Sequence, residues 1–290
     1  MKNVKLILGW VLIMILVTPA AYSQETVSEY DPNSVKQIPK YEQFYKKRVW
    51  RRMDLKEKQN QAFFAFNNEI TKIIIEAVKA GTLQPYKNDS LKTMMTLEEF
   101  NENMKLPGID DEEDDIFGGD TGGGWGDDAG GGWGDTGEGE GAVEEEVVAV
   151  STEFLPNEVT LMTLCEDQIF DKRRSTLYFD IMAITITIPG DRYETGINKD
   201  VGTFKYSDLV RLFKSMPEEA IWFNRQNSAE HRNLSDAFEL RLFSARVIKV
   251  DNPRDQYISD VYSRYPKEHI MASQWLELEL MEREHNLWEY

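Results

Sequence analysis

The chain has 290 residues, with 51 acidic against 33 basic side chains, a formal net charge of −18, three histidines and one cysteine. So acidic a molecule is a poor partner for nucleic acid, whose phosphates repel it. A single thiol excludes an internal disulfide, so stability has to come from ordinary packing, for which the length is ample.

Residues 1–23 read as a secretory signal: Lys2 and Lys5 start it, residues 6–17 are unbroken apolar, and Ala21 and Ser23 form a small-x-small cleavage site. The apolar run is shorter than the ~20 residues of a spanning helix, which weighs against a retained anchor. Cleavage near Ser23 predicts an exported, soluble chain without a membrane span and, lacking a nearby cysteine, without a lipid of its own.

Residues 24–106 read as a helical N-terminal section. A polar lead-in with Pro32 and Pro39 precedes YEQFYKKRVWRRMDLKEKQN, where Phe44, Val49, Trp50 and Met53 fall near one side of a helix that breaks at Asn60. A second helix carries Ile70, Ile73, Ile74, Ala77 and Val78, with Asn67 or Asn68 as its cap and Gly81 just past its end. A third starts at Thr96, with Glu99 completing a capping box and Leu97, Phe100 and Met104 facing inward.

Residues 107–147 are an acidic insert rich in glycine, and positions 110–146 hold 15 acidic residues and no basic one. Its flanking carboxylates exclude a phosphate loop. Its eight-residue DxGGGWGD repeat misses both the period and the apolar position of a calcium-binding β-roll. The composition predicts a self-repelling linker, and in its glycine stretch, 118–141, Trp125 and Trp133 are the only large apolar side chains and the expected contact points.

Residues 148–290 form a mixed section. Positions 160–170 and 176–188 are rich in strand formers, MAITITI alternates strictly, and DKRRS is a turn between them, so a long β-hairpin is expected. Ser207 is placed to cap a helix with Leu209, Leu212 and Phe213; positions 220–223 and 243–250 are short strands; Ser235 is placed to cap a helix over 236–240. Residues 258–262 are helical, and Pro266 opens a C-terminal helix whose Met271, Trp275, Leu278, Met281, His285 and Trp288 repeat at 4,3,3,4,3. That stripe belongs either in the core or in a seam with another subunit. The fold class is therefore α+β: a helical N-terminal section, then a mixed part with a long β-hairpin, short strands and a C-terminal helix.

Little in the sequence points to catalysis. His231, His269 and His285 are too scattered to share a metal, and no nucleophile elbow, zinc-protease or paired-cysteine motif is present. Neither a metal nor a cofactor is expected. A periplasmic hydrolase using Cys165 or a carboxylate pair is the enzymatic alternative, although Cys165 sits in an apolar stretch that favours a buried, inert thiol. The basic cluster KKRVWRRMDLKEK (46–58), with Arg48, Arg51 and Arg52 around Trp50, has three readings: a solvated helix face, a docking surface for an acidic partner, or a rest site for the insert.

Several strings are more specific. RVWRRMDLKEKQNQAFF (48–64), NNEITKIIIEAVKAGTLQPY (67–86), EDQIFDKRRSTLYFDIMAI (166–184), DAFELRLFSARVIKVDNP (236–253) and EREHNLWEY (282–290) together resemble the GldN/PorN family of gliding-motility proteins. The resemblance implies a non-catalytic periplasmic subunit of the type IX secretion system, self-associated in a ring on the inner face of the outer membrane. Its implied partners are an outer-membrane lipoprotein in that ring and the periplasmic part of the inner-membrane motor proteins. The residues expected to make protein contacts are Arg48, Trp50, Arg51, Arg52, Trp125, Trp133, Trp275 and Trp288. The acidic insert lies outside the recognised pattern.

Overall fold

The computed structural model describes residues 30–106, 153–193, 196–263 and 265–288. The signal (1–23) and the insert (107–147), with Trp125 and Trp133, lie outside the described residues.

The fold is α+β, built on one five-stranded antiparallel sheet of order β6-β5-β4-β1-β9. Its longest members are β1 (Gln43–Asp54), β4 (Leu161–Asp171) and β5 (Thr176–Ile188), flanked by β6 (Lys199–Lys205) and β9 (Arg246–Val250). The β4–β5 hairpin forms as the alternation predicts, and its turn ends at Ser175 in the left-handed region, φ +50°.

The principal correction lies at β1. The stretch expected to be the first helix is a twelve-residue interior strand of the sheet, between β4 and the edge strand β9. The apolar spacing misleads because this strand is covered on both faces. Val49 and Met53 are buried on one face and Trp50 on the other, so apolar positions do not alternate cleanly. The pairing that decides the matter is long-range: the register sets the cationic β1 against the acidic residues of β4, Arg48 opposite Asp167 and Val49 opposite Glu166.

Smaller elements follow the sequence more closely. The helix α1 (Ile70–Lys79) buries Ile70, Ile73, Ile74, Ala77 and Val78, and Gly81 follows it at φ +72°. Its N-cap is Glu69, because Phe66 and Asn67 (φ +61°) form the tight turn between the two-residue strands β2 (Phe64–Ala65) and β3 (Asn68–Glu69), which takes up Asn68. In α2 (Leu97–Met104) the Thr96–Glu99 capping box is present and Phe100 and Met104 are buried, but Leu97 faces out. In α3 (Tyr206–Ser215) Leu209 and Phe213 are buried and Leu212 half-buried, and the cap position is Lys205 rather than Ser207. The strands β7 (Ile221–Trp222) and β8 (Arg232–Asn233) form a second small ladder. In α4 (Leu234–Glu239) Asn233 is the cap and accepts the Ser235 N–H. A short α5 (Ile258–Val261) precedes the C-terminal helix α6 (Pro266–Leu287), with Pro266 at its first turn as expected.

The main core fills one face of the sheet. Met53, Met162, Leu164, Ile184, Ile186 and Phe204 meet α1, α2, α3 and α4 there, with Phe63, Phe100, Phe213 and Phe238 fully buried. At ~25 cal/mol per Å² of apolar surface removed from water, this layer supplies most of the folding drive. The outer edge of β6 is occupied: Thr203 exchanges both backbone hydrogen bonds with Tyr86, and the Asn103 side chain donates to the Val201 carbonyl. The described chain leaves at Leu106 and re-enters beside the same point, since Lys105 is bridged to Glu153 and the Phe154 N–H donates to the Met104 carbonyl at 2.8 Å.

Candidate functional site: the C-terminal helix and its seat

The helix α6 spans 22 residues, about 33 Å at 1.5 Å per residue. One side of it rests on β9, β1 and α5 through Ala272, Leu276 and Leu280 against Val49, Val247 and Ile258. Two polar contacts pin it there: Ser273 Oγ donates to the Val247 carbonyl at 2.6 Å, and Arg51 Nη1 donates to Glu277 Oε1 at 3.1 Å. Trp288, just past its end, meets Phe170 edge-on at 5.9 Å.

The opposite side is the apolar stripe seen in the sequence, and it is not in the core. Met271, Trp275, Leu278 and Met281 are 67%, 77%, 56% and 60% exposed. The helix therefore seats itself by its smaller apolar face and presents the larger one to solvent. Together these side chains expose on the order of 500 Å², near the upper end for the largest patch of a monomeric protein. Along the helix flank runs a groove of about 480 Å³, lined among others by Val250, Tyr257, Val261, Tyr262, Leu276 and Leu280. The helix carries five glutamates against Lys267 and Arg283, so the patch is framed by negative charge.

Beneath the helix lies the basic cluster, of which Lys46, Arg48, Trp50 and Arg51 are engaged inside the molecule. Glu166, fully buried, accepts from Arg51 Nε at 2.6 Å and from Arg241 Nη1 at 2.7 Å. Because Arg51 also holds Glu277, an alternating row Arg241–Glu166–Arg51–Glu277 ties the turn after α4, β4, β1 and α6 together. On the other face of the sheet, Asp167 accepts both Nε and Nη2 of Arg48, at 2.7 and 2.9 Å, and Lys46 at 2.9 Å. Burial opposes the Asp167 charge, but the hydrogen bonds from Arg48 and Lys46 outweigh it and hold the carboxyl below its ordinary value. The same hydrogen bond raises the Arg48 guanidinium. Trp50 is buried, donates Nε1 to Asp89 at 2.7 Å and carries Lys249 over its ring at 4.2 Å. Arg52 stands apart: its Nε is buried without a hydrogen-bond partner among the described residues.

Of the expected contact residues, then, Trp275 and Trp288 lie on the outer surface, Arg48, Trp50 and Arg51 hold the sheet together, and Arg52 lines a groove. The complementarity of KKRVWRR with EDQIFD was visible as opposite charge in the sequence, and it is what pairs β1 with β4. Sequence reasoning missed Phe66, which is 97% exposed at the tip of the β2–β3 hairpin, beside Phe223 and the cations Lys56 and Arg225. The string FFAFNN held that signal, since a tight Asn-containing turn has no interior for the aromatic before it.

The arrangement has little to offer hydrolysis. Cys165 is enclosed by Trp50, Ala183, Leu91 and Ile248, and burial pushes its thiol up to about 12, leaving no thiolate at neutral pH. Glu166 and Asp167 are adjacent on β4 and so point to opposite faces, each neutralised by arginine. Among the described residues no group of three or more His, Cys, Asp or Glu converges to hold a metal ion, and no helix is long and apolar enough to cross a membrane. A family model described as "Gliding motility associated protein GldN" matches residues 38–289. No curated protein matches the chain.

Proposed function

Because the chain belongs to the GldN family of gliding-motility-associated proteins, we propose that it is a non-catalytic periplasmic subunit of the gliding and type IX secretion machinery. In this reading it assembles into a ring with an outer-membrane lipoprotein and contacts the periplasmic part of the inner-membrane motor. The observation that carries it is α6, a helix fixed rigidly by one face while its Met271–Trp275–Leu278–Met281 face stays open. Such a surface fits protein contacts: an apolar centre with an aromatic anchor, pre-ordered so that binding loses little entropy.

Charge narrows the partner. Two α6 faces brought together would oppose their glutamates, so the helix is matched to an apolar surface with cations rather than to its own copy. Trp275 and Trp288 are the direct contact residues. Arg48, Trp50 and Arg51 contribute by keeping the seat in place, which makes their substitution a test of folding and not of docking.

The test replaces Trp275→Ser together with Leu278→Glu in cells. Both side chains are exposed, so stability should change by no more than about 0.5 kcal/mol, while co-purification with the lipoprotein, gliding and secretion are lost. Native assembly and motility in that variant would refute the reading.

A further inference from the structure

We propose that the groove between the outer edge of β9 and the start of α6 is an oxyanion-binding site built around Arg52 and Arg246. The two arginines are directly opposite in the β1–β9 register, an arrangement that destabilises a sheet unless something neutralises it. None of the described residues that line the groove does so. Its lining of about 270 Å³ includes Arg52, Arg246, His269, Ser259, Ser273 and Tyr257, and no carboxylate. Asp200 is close enough to attract Arg52, but its Oδ1 accepts from Thr187 Oγ1 at 2.7 Å and it makes no ion pair with the guanidinium. Arg52 thus keeps a buried Nε–H with no acceptor among the described residues, and burial lowers its affinity for the proton it carries.

A buried donor without an acceptor costs on the order of 1–3 kcal/mol, more when charged. The contrast with its neighbours is informative. Arg48 and Arg51 on the same strand each have a carboxylate within 2.7 Å, so β1 arranges partners for its arginines everywhere except here. A guanidinium with free donors, a second beside it and an imidazole at the rim form a set that recognises phosphate or carboxylate oxygens. The ligand class is a small oxyanion group, either free phosphate or the phosphate of a lipid headgroup. This site does not depend on the assembly role proposed above.

The test uses the full chain and two probes, inorganic phosphate and vesicles containing phosphatidylglycerol. Thermal midpoints are measured in an anion-poor buffer and with each probe, beside Arg52→Met and the exposed, fold-neutral Arg246→Met. Phosphate should raise the midpoint of the native chain, and both variants should bind it at least tenfold more weakly. In the anion-poor buffer Arg52→Met should be as stable as the native chain or more so, because it removes an unmet cation; phosphate should reverse that order. Response to vesicles but not to phosphate would assign the site to a lipid headgroup. No response to either probe, or an Arg52→Met variant that is destabilised equally in both buffers, would overturn the proposal.

Discussion

Glu166→Gln is the sharpest test of how the sheet and the C-terminal helix are held together. Glu166 is 0% exposed and neutralises two guanidiniums, Arg51 at 14% and Arg241 at 29% exposure. The amide keeps the shape but removes the charge, leaving both arginines against a neutral oxygen. Breaking a buried ion pair by removing one partner costs about 3–5 kcal/mol. Arg51 retains Glu277 and Arg241 has some access to water, so the lower end applies, about 3 kcal/mol. For a folded unit of the roughly 210 described residues, that lowers the thermal midpoint by about 6–12 °C. Urea unfolding followed by tryptophan fluorescence reads the loss directly. Lys79→Met is the control, because its pair with Glu153 is 44% and 36% exposed and such pairs contribute about 0–1 kcal/mol. A further arm replaces Glu166, Arg51 and Arg241 all by methionine, which should recover most of the loss, since well-packed apolar groups commonly match a buried ionic set. A loss below about 1 kcal/mol for Glu166→Gln, no larger than an exposed pair gives, would refute the reasoning.

Other expectations follow from the same geometry. Gly190 has no room for a side chain, as a Cβ would lie 2.6 Å from Gly196 C and 2.9 Å from Ile197 C, both backbone; Gly190→Ala should cost about 1–3 kcal/mol. Gly196→Ala meets open space but stands at φ +66°, so it should cost only about 1 kcal/mol, and chemical denaturation separates the two. Replacing residues 107–152 by a four-residue turn should keep the fold and raise stability by up to about 2 kcal/mol through shorter loop closure; a loss instead would mean that the replaced residues pack on the rest. Burial pushes the Asp180 carboxyl up despite its hydrogen bond from Ser34. Its contribution is therefore present below the ordinary carboxylate value and is lost as pH rises through the raised one. Asp167, held low, contributes above the ordinary value and loses that contribution as pH falls through the lowered one. Stability measured between about pH 3 and 7 should change slope in opposite senses for Asp180→Asn and Asp167→Asn.

What the sequence revealed and concealed divides along local and long-range physics. The β4–β5 hairpin, the Thr96 capping box, Gly81 and Pro266 were legible because each is decided within a few residues. The strand β1 was not, because its register depends on carboxylates more than a hundred positions away, and its burial on both faces erases the alternation that marks a strand. The strand β6 was missed for a related reason: KDVGTFK begins with two charges and has a glycine at its centre, and it is a strand because Gly202 lets Phe100 pack closely on it. At the candidate site the α6 stripe was visible, but whether it faced inward or outward was not. Only the smaller residues Ala272, Ser273 and Leu276, unremarkable in sequence, decide which face takes the seat.

The closed margins of the sheet limit how this protein can join others. At one border β6 has its outward groups taken at Val201 and Thr203. At the other, side chains hold the Val247 and Val250 carbonyls of β9. Neither border offers a continuous row of free donors and acceptors, so a neighbour cannot be recruited by extending the ladder, the route that also leads to uncontrolled polymerisation. Any assembly has to be specified through side chains on helices and hairpin tips. Angles between copies are then set by a handful of residues, and a change at one of them can alter the number of units in a closed array while every strand stays in register.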